Sequence, residues 1–115
     1  MKNTQTILKK LFDLTHKNTK QEDLYRKLIT EEYKEFMNEG SHTANDFKEL
    51  CDLIWVCIQY ANACEYDLEK GIAELIREYE SKFYDKDGKY NPKFNEYGKL
   101  LKGSGFKKAD FTKLI

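Results

Sequence analysis

Glu49-Leu50-Cys51-Asp52-Leu53-Ile54-Trp55-Val56-Cys57-Ile58-Gln59-Tyr60-Ala61-Asn62-Ala63 is the stretch on which the fold turns. Between Leu50 and Ala61 only Asp52 and Gln59 are plainly polar. A helix that is apolar around its whole circumference is normally buried on every side. The stretch therefore predicts a central helix, from about residue 44 to 64, against which the others pack. Glu49 and Asp52 are three apart and share one face of it. A carboxylate buried there without a partner is costly, so the pair calls for a compensating group, and a bound cation is one of the few good ones.

The flanking segments carry helical spacing too. Ile7, Leu8, Leu11, Phe12 and Leu14 suit a short amphipathic helix over 5–17. His16, at its end, reads as a helix-terminal charge or a solvated side chain, and Asn18-Thr19-Lys20 reads as a connection. Leu24, Leu28 and Phe36, with Tyr25, Ile29 and Tyr33 beside them, predict a second helix over 22–38. Gly40 suits a left-handed stop, and Thr43 or Asn45 can cap the central helix. Asp67 can cap a fourth helix over 68–83, with Leu68, Ile72, Leu75, Ile76, Tyr79 and Phe83 on its apolar side. Beyond Tyr84, Asp85-Lys86-Asp87-Gly88-Lys89 and Asn91-Pro92 signal turns. A short hairpin or an irregular arm follows, with no evident internal repeat. The expectation is one all-α domain over 1–115: an antiparallel helical bundle of about four helices, core about 22–83, with an irregular C-terminal arm over about 84–115.

Charge and composition narrow the function. Lys plus Arg number 20 and Asp plus Glu number 20, so the net charge is zero. A nucleic-acid or membrane-surface binder usually carries a basic excess, so neither partner is expected. No apolar run is long enough to span a bilayer, and Met1-Lys2-Asn3-Thr4-Gln5 lacks a signal-peptide core. A cytoplasmic chain is expected. Cys51, Cys57 and Cys64 form no CxxC pair and read as reduced core thiols.

Glu32 and Glu35 on the second helix repeat the i, i+3 spacing of Glu49 and Asp52. A short connection makes the two helices antiparallel neighbours, which brings four carboxylates to one place. Four such anions repel unless cations or protons intervene. Oxygen ligands suit a hard divalent ion, Mg2+ or Mn2+, and the absence of an HExxH-type motif disfavours zinc. Such a cluster commonly serves phosphate chemistry, and lysines of the tail, among them Lys82, Lys99 and Lys102, can assist as point charges. The plainer alternatives are solvated edge glutamates and an Asp52 paired with a lysine or with Tyr or Trp donors. Trp55, Ile58 and Tyr60 exceed what three neighbouring helices would cover. They predict a homodimer or higher oligomer, unless the N-terminal helix and the tail cover them within one chain.

Glu32-Tyr33-Lys34-Glu35 followed by Glu49-Leu50-Cys51-Asp52 resembles the ExxE and ExxD signature of the all-α, MazG-like nucleotide pyrophosphohydrolases. Leu24 to Phe36 and Asp52-Leu53-Ile54-Trp55-Val56 resemble the surroundings of that signature. Ser81-Lys82-Phe83 and Gly98-Lys99-Leu100-Leu101-Lys102-Gly103 resemble the SNMSKF and GKVLKG segments of small phage and bacterial members. The resemblance spans about 22–110. It implies a magnesium-dependent, usually oligomeric enzyme that cleaves a nucleoside triphosphate to a monophosphate and pyrophosphate. It makes Glu32, Glu35, Glu49 and Asp52 metal ligands and catalytic groups, and Lys82 and Lys102 holders of phosphate oxygens. The chain departs from the family pattern at Glu78-Tyr79-Glu80, where Ser-Asn-Met is usual. Glu65 replaces a usual glycine, and Ala109 a usual proline. A non-catalytic helical binding or interaction module that kept the bundle is the competing expectation.

Overall fold

The computed structural model describes residues 2–15 and 21–115; His16 and the 18–20 connection lie outside the described residues. The fold is all-α. It consists of α1 (Lys2–Thr15), α2 (Glu22–Met37), α3 (Ala44–Ala63) and α4 (Leu68–Ser81), with no strand among the described residues. No described helix is long and apolar enough to cross a membrane. The chain forms two compact units, Met1–Leu68 and Glu69–Ile115, so α4 groups with the C-terminal residues.

In the first unit α2 and α3 form an antiparallel helical hairpin, and α1 packs on α3. The Arg26 guanidinium lies 5.0 Å above the Tyr60 ring, near the far end of the hairpin from its connection. Tyr25 and Ala63 are buried there, packed with Leu28, Val56 and Tyr60. The connection is stopped differently from the sequence reading. His42, with φ 64°, takes the left-handed conformation rather than Gly40. Thr43 is the cap of α3, accepting from the Asp46 amide at 3.0 Å. Asn45 instead donates to Glu39 Oε1 at 2.7 Å.

α3 is not buried on every side. Its C-terminal half holds the buried residues Ile58, Gln59, Ala61, Asn62 and Ala63, while Phe47, Ile54 and Trp55 are exposed. Cys51 and Cys57 are exposed and Cys64 half-buried, all as free thiols, so the expectation of core thiols fails for the first two. The two buried amides are satisfied by each other and by α1. Asn62 Nδ2 donates to Gln59 Oε1 at 3.0 Å, and Gln5 Nε2 donates to Asn62 Oδ1 at 3.1 Å. Gln5 also donates to the Tyr66 carbonyl and accepts from the Leu68 amide. One α1 side chain thus ties together the whole exit from α3.

That exit is a Schellman stop. The Tyr66 amide reaches back to the Ala61 carbonyl at 2.8 Å, and the Glu65 amide to the Asn62 carbonyl at 3.1 Å. Glu65 sits between them at φ 60°. A Cβ in that conformation is strained. Glu65→Gly is expected to stabilise the protein by about 0.5–1 kcal/mol, the strain relieved less the extra chain entropy of glycine. A higher melting temperature would show it.

The second unit contains two copies of one turn. Tyr84 bridges Tyr90, and Phe94 bridges Leu100, in antiparallel fashion. In the first copy Asp85 Oδ1 accepts the amides of Asp87 and Lys89, and Gly88 lies at φ 77°. In the second, Asn95 Oδ1 accepts the amides of Tyr97 and Lys99, and Gly98 lies at φ 79°. The pattern is aromatic, Asx, two variable residues, glycine, lysine, apolar, repeated after ten positions. This corrects the expectation that no repeat exists. Each Asx side chain organises its loop, and each glycine supplies the positive φ that closes it.

Gly103-Ser104-Gly105 clasps the first turn. Ser104 Oγ accepts the Lys86 amide at 2.8 Å. A Cβ on Gly105 would lie 2.5 Å from the Asp85 carbonyl oxygen and 2.6 Å from that of Tyr84. Backbone cannot yield as a side-chain tip does. Gly105→Ala is therefore expected to cost about 1–3 kcal/mol, read as faster hydrogen exchange at the Lys86 and Gly105 amides. α4 holds the remainder of the tail along one face. Ser81 Oγ accepts the Lys107 amide, Glu78 Oε2 that of Ala109, and Glu74 Oε1 that of Asp110. The Arg77 hydrogen bond and the Asp110 amide hold the Glu74 carboxyl below its ordinary range.

Candidate metal centre

Helical spacing and the antiparallel register build this centre together. Glu49 and Asp52 occupy one face of α3, and Glu32 comes from the facing side of α2. One carboxylate oxygen of each lies within 4.8 Å of the others. Glu49 is 8 % exposed, whereas Glu32 and Asp52 are half-buried. The fourth carboxylate, Glu35, is exposed and lies outside this close trio. Its charge still acts on the trio, since it helps to raise Glu32 above its ordinary value.

The electrostatics record the crowding. Glu32 is raised above its ordinary value, first by burial, then by Glu35, and then by the charges of Asp52 and Glu49. The counter-charge among the described residues is Lys48, which nothing in its local sequence singles out. Its Nζ lies 2.7 Å from Asp52 Oδ2 and 3.7 Å from Glu49 Oε1. These bonds raise the lysine above its ordinary value. The lysine does not complete the site. Glu32 Oε2 and Glu49 Oε2 are both buried with no hydrogen-bond partner.

This donor set fits a hard divalent ion. It offers only carboxylate oxygens, from two helices, and two of those oxygens are buried with unused lone pairs. Unsatisfied buried anionic oxygens are expensive, and Mg2+ or Mn2+ is the partner that oxygen ligands prefer. Glu32, Glu49 and Asp52 would hold the ion.

Lys82 and Lys102 belong to the second unit. Lys82 Nζ lies 5.7 Å from the centroid of the Tyr79 ring, and Lys102 Nζ 4.9 Å from that of Phe106. The backbone at Gly103 packs against the Lys82 carbonyl, so the two lysines come from adjoining segments. Glu78 accepts the Ala109 amide at 2.6 Å, a bond that a proline at 109 could not donate. Comparison of the chain with protein-family models, curated proteins and solved structures returns no match.

Proposed function

We propose that this chain is a magnesium-dependent nucleoside triphosphate pyrophosphohydrolase of the MazG-like kind, taking a ribo- or deoxynucleoside triphosphate to the monophosphate and pyrophosphate. The observation that carries the reading is the convergence of Glu32, Glu49 and Asp52, with an unpartnered buried oxygen on each glutamate. The ExxE and ExxD resemblance supports it from the sequence side.

A divalent ion bound there would neutralise phosphate charge and make a bound water more acidic. Glu32, Glu49 and Asp52 supply its ligands. Glu35, exposed and outside the close trio, is the carboxylate left to orient the attacking water and accept its proton. The water oxygen bonds to the α-phosphorus, the bond from that phosphorus to the bridging oxygen breaks, and pyrophosphate leaves. The resemblance assigns Lys82 and Lys102 to phosphate oxygens. Of Trp55, Ile58 and Tyr60, Ile58 is buried and Tyr60 half-buried within the chain, and Trp55 stays exposed; with Phe47 and Ile54 it leaves an apolar side on α3 that supports a homodimer or higher oligomer. Free thiols accord with a reducing cytoplasm.

The Lys48–Asp52 pair favours a second reading, a non-catalytic helical module whose carboxylates are held by an ammonium. Pyrophosphate release from a panel of ribo- and deoxynucleoside triphosphates, with magnesium and with a chelator, separates the two. Release that the chelator abolishes is expected. No release from any triphosphate, in a folded protein that binds magnesium, would leave the non-catalytic module.

A further inference from the structure

We propose that Lys48 is a tethered counter-ion of the carboxylate cluster, which a divalent cation must displace in order to bind; this rests on the metal reading above. Lys48 lies one turn before Asp52 on α3, so helical geometry alone brings its stem to the cluster. Its Nζ contacts Asp52 Oδ2 at 2.7 Å and approaches Glu49 Oε1 at 3.7 Å. Both acceptors belong to the trio that a metal would use.

The lysine is suited to leaving. Its side chain is 65 % exposed, against 11 % for that of Glu49. Its head can swing into water without uncovering apolar surface, whereas Glu49 cannot leave the helix interface without opening it. It is also an incomplete partner. It reaches one oxygen of Glu49 and leaves Oε2 of Glu49 and of Glu32 buried and unpaired. That unpaired oxygen, on a residue 8 % exposed, is a second sign of a missing ligand, independent of the clustering of acids.

An ammonium and a divalent ion cannot share these oxygens, because like charges a few ångströms apart repel strongly at a half-buried site. Metal binding and the Lys48 bridge therefore exclude each other. Without metal the lysine screens the crowded carboxylates. With metal it is released, and the apparent affinity for the ion is lowered by the strength of the bridge.

Manganese titration followed by the loss of the free-ion paramagnetic resonance signal tests this with wild type, Lys48→Met, Lys48→Arg and Glu49→Gln. Lys48→Met keeps the stem and removes the charge, and is expected to bind manganese about two- to five-fold more tightly. Lys48→Arg keeps the charge and should stay near wild type. Metal-free Lys48→Met should melt below wild type, with the gap closing as manganese is added. Unchanged or weaker binding by Lys48→Met overturns the counter-ion role. If wild type binds and Glu49→Gln does not, the metal reading survives that result. If neither wild type nor Lys48→Met binds manganese, both readings fall.

Discussion

Glu49→Gln is expected to abolish metal-dependent pyrophosphate release while making the metal-free protein more stable. The side chain is buried at the α2–α3 interface, and its Oε2 has no partner. Replacing that carboxylate by an amide of the same shape removes one anion from the crowd. It also gives the neighbouring carboxylates an N–H to accept. A gain of about 1 kcal/mol is expected in denaturant unfolding without metal. Turnover should fall by at least about 100-fold, since a ligand is lost where even outer-shell changes cost 10- to 100-fold. Opposite signs in the two measurements are the mark of a site built for an ion. If Glu49→Gln weakens the fold and leaves turnover intact, the carboxylate is structural.

Magnesium is expected to reverse the protein's pH dependence. The sign follows from Glu32. Burial, then Glu35, then Asp52 and Glu49 raise it above the ordinary glutamate value. Between the unfolded value and the raised folded value, the native state binds more protons than the unfolded chain. The contribution of Glu32 to stability without metal therefore falls as pH rises through that window, and it is intact below it. Metal ions require the deprotonated carboxylates, so their stabilisation grows over the same window. At magnesium about 100-fold above its dissociation constant the gain is about 2.7 kcal/mol, or on the order of 10 °C in melting temperature. Melting temperatures across the acidic range, with magnesium and with chelator, should coincide at the acid end and diverge as pH rises. Parallel curves would mean that no ion binds these groups.

The helices were legible because their signals are local. The i, i+4 ladders placed α2 and α3 to within a residue or two, and Thr43 carried its capping role in its own chemistry. The i, i+3 acidic pairs needed only helix geometry and a short connection to meet. The rest depended on contacts across the chain. The sequence offers 20 lysines and arginines, and nothing local distinguished Lys48 as the one that reaches Asp52. Ile58 is buried and Trp55 is half exposed on the same helix. The difference arises from packing on α3, which periodicity on α3 cannot report. Gln59, one of two polar residues in the apolar stretch, is explained by Asn62 and by Gln5, more than fifty positions away. The paired turns are faint in the sequence because the copies are identical only at the glycine and the lysine, the Asx and the flanking aromatic and apolar positions agreeing in type alone. The Asx, the glycine and the lysine carry the loop geometry, while the variable positions face solvent.

Anomalous diffraction from a crystal soaked in manganese shows whether Glu32, Glu49 and Asp52 hold a divalent cation. A manganese peak is expected between α2 and α3, in coordination distance of all three carboxylates, with the Lys48 ammonium moved off Asp52. A crystal with no peak there, and with Lys48 still bridging Asp52 and Glu49, would contradict it.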